Sequence, residues 1–337
     1  MPERRRHGPR RKAPAVAAVL LAMTLGIGVP AAASPAARGV PAPATTPPDT
    51  FCRAFGEYYD AAFLVHFVTA FAQSLEPKSV ARTRTSILLV LSPKLEKLLG
   101  QMATTASKPL RAPFRRQAAW FARGTRILRR AGLTDDQIKT LADAALHSTS
   151  ATDDLVGATK LTKKKLNAAV AQFSKVGASV DLAKILTDAQ RTRVAIDGVA
   201  CGVFPDPTVS CERLVSSADV VAVAGSDAAA QRTQGCWWKG SDSPTGYPYG
   251  LGVDVDRGTL AYDRIIGQGS GATPVAAVGD AATMLDGFTS FADFSSCGHT
   301  LVTKAGDRTV TVAMCPASGD ATADRLAALT RSVLANL

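Results

Sequence analysis

From residue 51 onward apolar side chains return at steps of three and four: Cys52, Phe55, Tyr59, Ala62, His66 and Ala70 follow one line, with Phe63 and Phe67 beside it. That period predicts a long amphipathic helix. Further helix starts are marked by Ser92-Pro93 as cap and first residue, and by Pro113 in a first turn. Thr134-Asp135-Asp136-Gln137 has capping-box spacing with acids at the positive helix end, and Gly132 suits a helix stop. Two or three more helices are expected around 162–176 and 181–199, with no alternating stretch between them. Residues 51–205 therefore predict an all-α bundle of six or seven helices.

Beyond residue 206 the period shortens. Leu251, Val253 and Val255 alternate with Gly252, Asp254 and Asp256, which defines a strand with one apolar face. Ser217 to Gly225 reads as a short helix with a Ser cap and a Gly stop, and helices are also expected over 259–266 and 321–337. The remaining strands cluster between Val275 and Met314. Thr300–Lys304 and Arg308–Met314 flank Ala305-Gly306-Asp307, read as a three-residue hairpin loop, a register that sets Cys297 directly opposite Cys315. The fold class is multidomain: a helical bundle over 51–205, then a small α+β domain over 206–337 whose antiparallel sheet is flanked by helices.

Six cysteines allow fifteen pairings. Cys52 opens the first helix and Cys201 closes the last, so a bond between them ties the bundle's ends. The hairpin pairs Cys297 with Cys315, which leaves Cys211 for Cys236. Such bonds need an oxidising compartment, and the N-terminus points the same way. Arg4, Arg5, Arg6, Arg10, Arg11 and Lys12 precede an apolar run from Ala15 to Val29, then Pro30 and three Ala. This is the pattern of an export signal over residues 1–33, cleaved after Ala33; a retained signal anchor is the alternative. Arg10-Arg11 leaves a twin-Arg route open beside the Sec route. The first cysteine is Cys52, so no lipid anchor is expected, and residues 34–50 read as a Pro/Ala-rich linker. The expected location is extracellular or associated with the cell envelope.

The net charge of +11 conceals an asymmetry. Residues 51–205 hold 23 basic and 12 acidic side chains, whereas 206–337 hold 9 and 14. Seven Arg and no acid occupy 111–130, with Phe114, Ala118, Phe121 and Leu128 along one side. This basic amphipathic helix is either a solvated outer face of the bundle or a binding surface built on Arg115, Arg116, Arg123, Arg126 and Arg130. Its partner would be an anionic envelope polymer, lipid headgroups or a protein. Nucleic acid is not expected, because no binding module accompanies the charge. Lys163-Lys164-Lys165 forms a second basic cluster.

Short motifs of the C-terminal half carry a resemblance. Cys211-Glu212-Arg213-Leu214, SADVVAVAG at 217–225, Gly235-Cys236-Trp237-Trp238 and LGVDV at 251–255 come in succession, followed by Val278-Gly279-Asp280-Ala281-Ala282 and KAGDRTVTV at 304–312. This succession resembles the uncharacterised actinobacterial cell-envelope lipoprotein domains of the LpqN type, and through them the wider PsbP-like fold. The resemblance covers 206–337 only. It implies an antiparallel sheet flanked by helices and an exported, non-catalytic role. The chain departs from that family in lacking the lipid-attachment cysteine.

Neighbouring positions on a strand send Trp237 and Trp238 to opposite faces, Trp238 with Cys236 and Trp237 toward Tyr247 and Tyr249. An exposed Trp237 cluster would stack on a sugar ring or an apolar ligand; helices over both faces would instead bury both Trp. Asp254 and Asp256 read as a solvated strand face or as a carboxylate pair. Gly267 to Gly271 follows a helix, which is the wrong context for a dinucleotide loop. His66 suits a core position, and His147 has no ligand-spaced partner. No catalytic residue, metal ligand or cofactor is assigned. Three functions fit: a secreted, disulfide-stabilised, non-enzymatic envelope binding protein; a cell-wall-directed hydrolase whose site is assembled from distant residues; or a chain whose acidic half docks on and neutralises its basic half.

Overall fold

The computed structural model describes residues 46–71, 77–147, 162–224, 230–232, 235–242, 248–258, 260–267, 271–286, 299–315 and 323–337. The expected export signal, most of the linker, Tyr247 and Cys297 lie outside these residues.

Helix α1 (Asp49–Phe71) starts within the expected linker. Its buried stripe runs through Phe51, Phe55, Tyr58, Ala62 and Val65, so Tyr58 rather than Tyr59 enters the core. The Tyr58 hydroxyl donates to Val180 O at 2.9 Å, and burial, followed by the charge of Asp181, pushes its pKa far up. Helices α2 (Pro77–Val90) and α3 (Ser92–Thr105) are nearly continuous through Leu91. Ser92 is therefore not a cap: it lies in the first turn of α3 and donates to Leu88 O at 2.8 Å.

Helix α4 (Lys108–Arg130) begins ahead of the predicted start, with Pro109 in its first turn and Pro113 buried inside it. A proline has no N–H for the carbonyl four residues back. That carbonyl, Pro109 O, instead accepts from Gln190 Nε2 at 2.9 Å. Gln190 has a second task. Its Oε1 accepts from Thr187 N at 3.0 Å in the capping box that opens α7 (Asp188–Ala200). The helix expected from 181 consequently starts at 188, after a single 3-10 turn at Leu182–Lys184. Between these lie α5 (Asp135–His147), opened by the predicted Thr134–Gln137 box, and α6 (Lys163–Ser174), capped by Thr162. Among the described residues the helical half thus has seven α-helices, and Cys52–Cys201 joins the first to the end of the last.

Gln117 faces this core from α4, fully buried, and neither its amide oxygen nor its nitrogen has a partner. An unpaired buried amide costs about 1–3 kcal/mol. Gln117→Met, similar in shape and free of that cost, is expected to raise the urea midpoint; a lowered midpoint would show that the amide is needed.

The second half is a seven-stranded antiparallel sheet in the order β1-β2-β3-β7-β6-β5-β4. Its strands are β1 (Ala230–Arg232), β2 (Cys236–Asp242), β3 (Pro248–Arg257), β4 (Thr273–Pro274), β5 (Ala281–Asp286), β6 (His299–Ala305) and β7 (Arg308–Cys315). One face packs Trp238, Leu251, Val253, Val310, Val312 and Leu301 against α8 (Cys211–Leu214), α9 (Ser217–Ala224) and α11 (Ala323–Ala335). The Cys211–Cys236 disulfide fastens α8 to that face. On the other face Leu285 and Val302 meet Ala261 and Ile265 of α10 (Leu260–Ile266).

The β6–β7 loop corrects the expected register. Ala305 pairs with Arg308, which leaves a two-residue Gly306-Asp307 turn with Gly306 at φ +59°. Glycine at the first central position with positive φ is what a type II′ hairpin turn demands. All pairs move by one, so Thr300 faces Ala313 and His299 faces Met314, while the pairing expected for Cys297 lies outside the described residues.

Helix α10 lies between the sheet and the bundle. From it Arg264 reaches α1, where Nη1 donates to Asp60 Oδ1 at 2.8 Å and Nη2 to Gly202 O at 3.4 Å. Gly56 makes room for the Arg264 stem: a Cβ there would stand 2.9 Å from Arg264 Cδ. The connection from α7 then follows β3, with Asp206 N donating to Val255 O at 2.7 Å and the Asp206 carboxylate gripping Arg257 through Nε at 2.7 Å and Nη2 at 3.1 Å. Burial raises the Asp206 pKa, yet the bonds from Arg257 and Thr208 outweigh it and hold the carboxyl below its usual range.

Candidate anion-binding site

Helix α4 turns Leu110, Phe114, Phe121 and Leu128 inward, and its packing partners are α2, α3, α6 and α7. The opposite side exposes all seven arginines. Three are committed. Arg111 Nε donates to Ala106 O at 2.9 Å, Arg116 Nη2 to Ile185 O at 3.2 Å, and Arg129 Nε to Asp135 Oδ1 at 2.8 Å. The other four, Arg115, Arg123, Arg126 and Arg130, have no hydrogen bond or ion pair among the described residues.

Those four share one stripe. At 3.6 residues per turn they fall within a sector of about 80°, and at 1.5 Å per residue they span about 22 Å. Exposed Ala112 and Ala119 lie in the same sector and leave the arginine heads accessible between them. Lys108 extends the stripe toward the helix start, and at the other end Lys165 Nζ approaches Gly132, 4.0 Å from where a Cβ would sit. One lysine of the α6 cluster thereby comes near the turn that follows α4. Arg129 and Arg130 occupy the last turn, where cations are favoured by the helix dipole.

Among the described residues no ion pair joins the acidic half to the arginines of this face. The contacts of that half with the bundle run through α1 and α10, and through α7 and β3. The ion pair on that seam has the opposite polarity to the one expected, an arginine of the acidic half on an aspartate of the basic half.

Trp120, which periodicity alone did not single out, stands half-buried at the border of the stripe, four residues after Arg116 and three before Arg123. These are the spacings that make helix side chains neighbours. Its partial exposure is legible only in the fold, because the pattern does not tell which border of the stripe stays open.

Elsewhere the predicted site residues part company. Trp238 joins Cys236 in the core, and Trp237, on the other face, is only 6% exposed, so it offers no open stacking platform. Tyr249 lies on β3. His66 is half-buried; burial, then Arg84, holds its pKa below the ordinary value, with Lys184 acting the same way and Asp181 opposing. His147 ends α5. Among the described residues no three His, Cys, Asp or Glu side chains converge as a metal site, and no helix is long and apolar enough to cross a membrane.

The solvated face expected for Asp254 and Asp256 is covered. Asp256 is 4% exposed and faces the α10 side of the sheet, next to buried Thr309 across the ladder. The Asp254 carboxylate lies over Gly235, where a Cβ would stand 1.6 Å from its Oδ1. Burial, then the neighbouring Asp254 charge, pushes the Asp256 pKa up to about 8 against the opposing pull of Arg264. The pair is part of the seam between sheet and bundle.

Comparison with known protein families, with curated proteins and with solved structures returns no match.

Proposed function

We propose that the protein is an exported, disulfide-stabilised, non-enzymatic envelope protein that binds an extended anionic polymer along α4. The observation that carries this reading is the row of four exposed arginines with no hydrogen-bond or ion-pair partner among the described residues. Arginine offers a planar fork of donors suited to phosphate or carboxylate, and a row of such forks on a rigid helix suits a repeating anion. The length of the row, about 22 Å along the helix, favours a chain over a small ligand. Exposed large apolar side chains among the described residues are Phe63, Val221 and Leu337, none of them on α4, and a single half-buried Trp120 at the border of the stripe is not the row of apolar anchors that a membrane-surface helix carries.

The disulfides Cys52–Cys201 and Cys211–Cys236 suit an oxidising compartment, which supports the reading of residues 1–33 as a signal cleaved after Ala33. The flanked antiparallel sheet agrees with the architecture that the lipoprotein-domain resemblance implies, and that relationship belongs to the same proposal. Titration of the protein with inorganic polyphosphate is the direct test. Affinity is expected to fall steeply as salt rises, because the contacts are solvent-exposed charges. Absence of binding at low salt, or affinity indifferent to salt, would remove the proposal.

A further inference from the structure

Trp120 gives the basic stripe a feature that bare charge does not need. It is half-buried at the stripe's border, and Arg116 and Arg123 flank it along the helix about 10 Å apart, seven residues at 1.5 Å each. Arg116 is held in place by its bond to Ile185 O. Arg123 is free to pair. An aromatic ring between two guanidinium groups matches a ligand in which rings alternate with anionic groups. Indole presents a large apolar surface on which a sugar ring stacks, whereas a polyphosphate chain or a lipid headgroup layer has no ring to place there. The exposed Ala119 beside it leaves room for such a ring to lie against the helix.

We infer that Trp120, Arg116 and Arg123 form a subsite for an acidic polysaccharide, with one ring on Trp120 and the carboxylates of that ring and of a neighbouring ring on the two arginines. This rests on the reading of α4 as an anion-binding face and narrows its ligand to one class.

The test uses the full chain with three probes: polygalacturonate, inorganic polyphosphate and phosphatidylglycerol vesicles. Trp237 and Trp238 are buried, so a change in tryptophan emission on adding ligand reports on Trp120. Polygalacturonate is expected to alter that emission, and polyphosphate to bind without doing so. Trp120→Ala should weaken polygalacturonate about tenfold, a typical worth of an aromatic contact, and leave polyphosphate unchanged. Trp120→Tyr, which keeps a ring, should restore most of the loss, and thermal melts of both variants confirm that they fold. Equal losses for both polymers, no emission change with polygalacturonate, or tighter binding to vesicles would overturn the subsite while leaving the basic face standing. If polyphosphate does not bind the unaltered protein at low salt, the function proposed above falls, and the subsite that rests on it falls with it.

Discussion

Reversing Arg115, Arg123, Arg126 and Arg130 to Glu should lower affinity for polyanions about a hundredfold or more at low salt. Each charge-assisted contact is worth about 1.5–3 kcal/mol where it forms well and less at an exposed site, so four exposed ones easily exceed the roughly 2.7 kcal/mol of that change. The fold should tolerate the substitutions. All four side chains are exposed and make no bond that the helix depends on, while the buried side of α4 and the Gln190 contact to Pro109 are untouched. The fair control is Arg213→Glu with Arg331→Glu, exposed arginines of the other half, which should leave affinity nearly unchanged. The control changes the net charge half as much as the stripe variant, so an equal loss per reversed charge would show that attraction comes from net charge alone and not from α4.

The second large effect concerns pH. Asp256 keeps its proton in the folded protein up to about pH 8, because burial and the Asp254 charge oppose ionisation and Arg264 is engaged with Asp60. An unfolded chain releases that proton near pH 4. Between these values the folded state binds more protons, so stability contributed by this group is complete below about pH 4 and declines as pH rises toward 8. From pH 6.5 to 9 the loss should be about 2 kcal/mol, seen as a fall of several degrees in melting temperature. His66, with its pKa lowered, acts in the opposite sense and only below its ordinary value of 6.5, so it does not enter this window. Asp256→Asn should match the wild type only below about pH 4, already exceed its stability at pH 6.5, exceed it further at pH 9 and flatten the decline. A variant that declines just as steeply would show that another group titrates.

Local chemistry made much of the fold readable. Helical spacing from Cys52, the Thr134–Gln137 box and the Gly132 stop act within a turn or two; the box and the stop stand where the pattern set them, and the first helix does too, with its buried line shifted to Tyr58 and Val65. Where reading failed, a distant partner intervened. Pro113 looks like a helix start because proline usually is one, yet Gln190 satisfies the carbonyl that it strands and lets α4 begin earlier. The β6–β7 register depended on whether Gly306 opened a two- or three-residue loop, a choice set by strand pairing as well as by the loop residues.

The candidate site divides in the same way. Its arginines are visible as an unbroken basic run, but which of them are free depends on where Ala106, Ile185 and Asp135 lie in space. Alternation along β3 put Asp254 and Asp256 on one face and apolar residues on the other; it could not say that α10 and the bundle would cover the polar face. Periodicity, capping and turn residues are short-range and are written in the chain itself, so sequence alone determined the helical half, the sheet-bearing half and the basic helix. Burial and pairing are sums over neighbours brought from far along the chain, so only the tertiary structure decided which charges are free, which carboxylate holds its proton and which tryptophan remains within reach of a ligand.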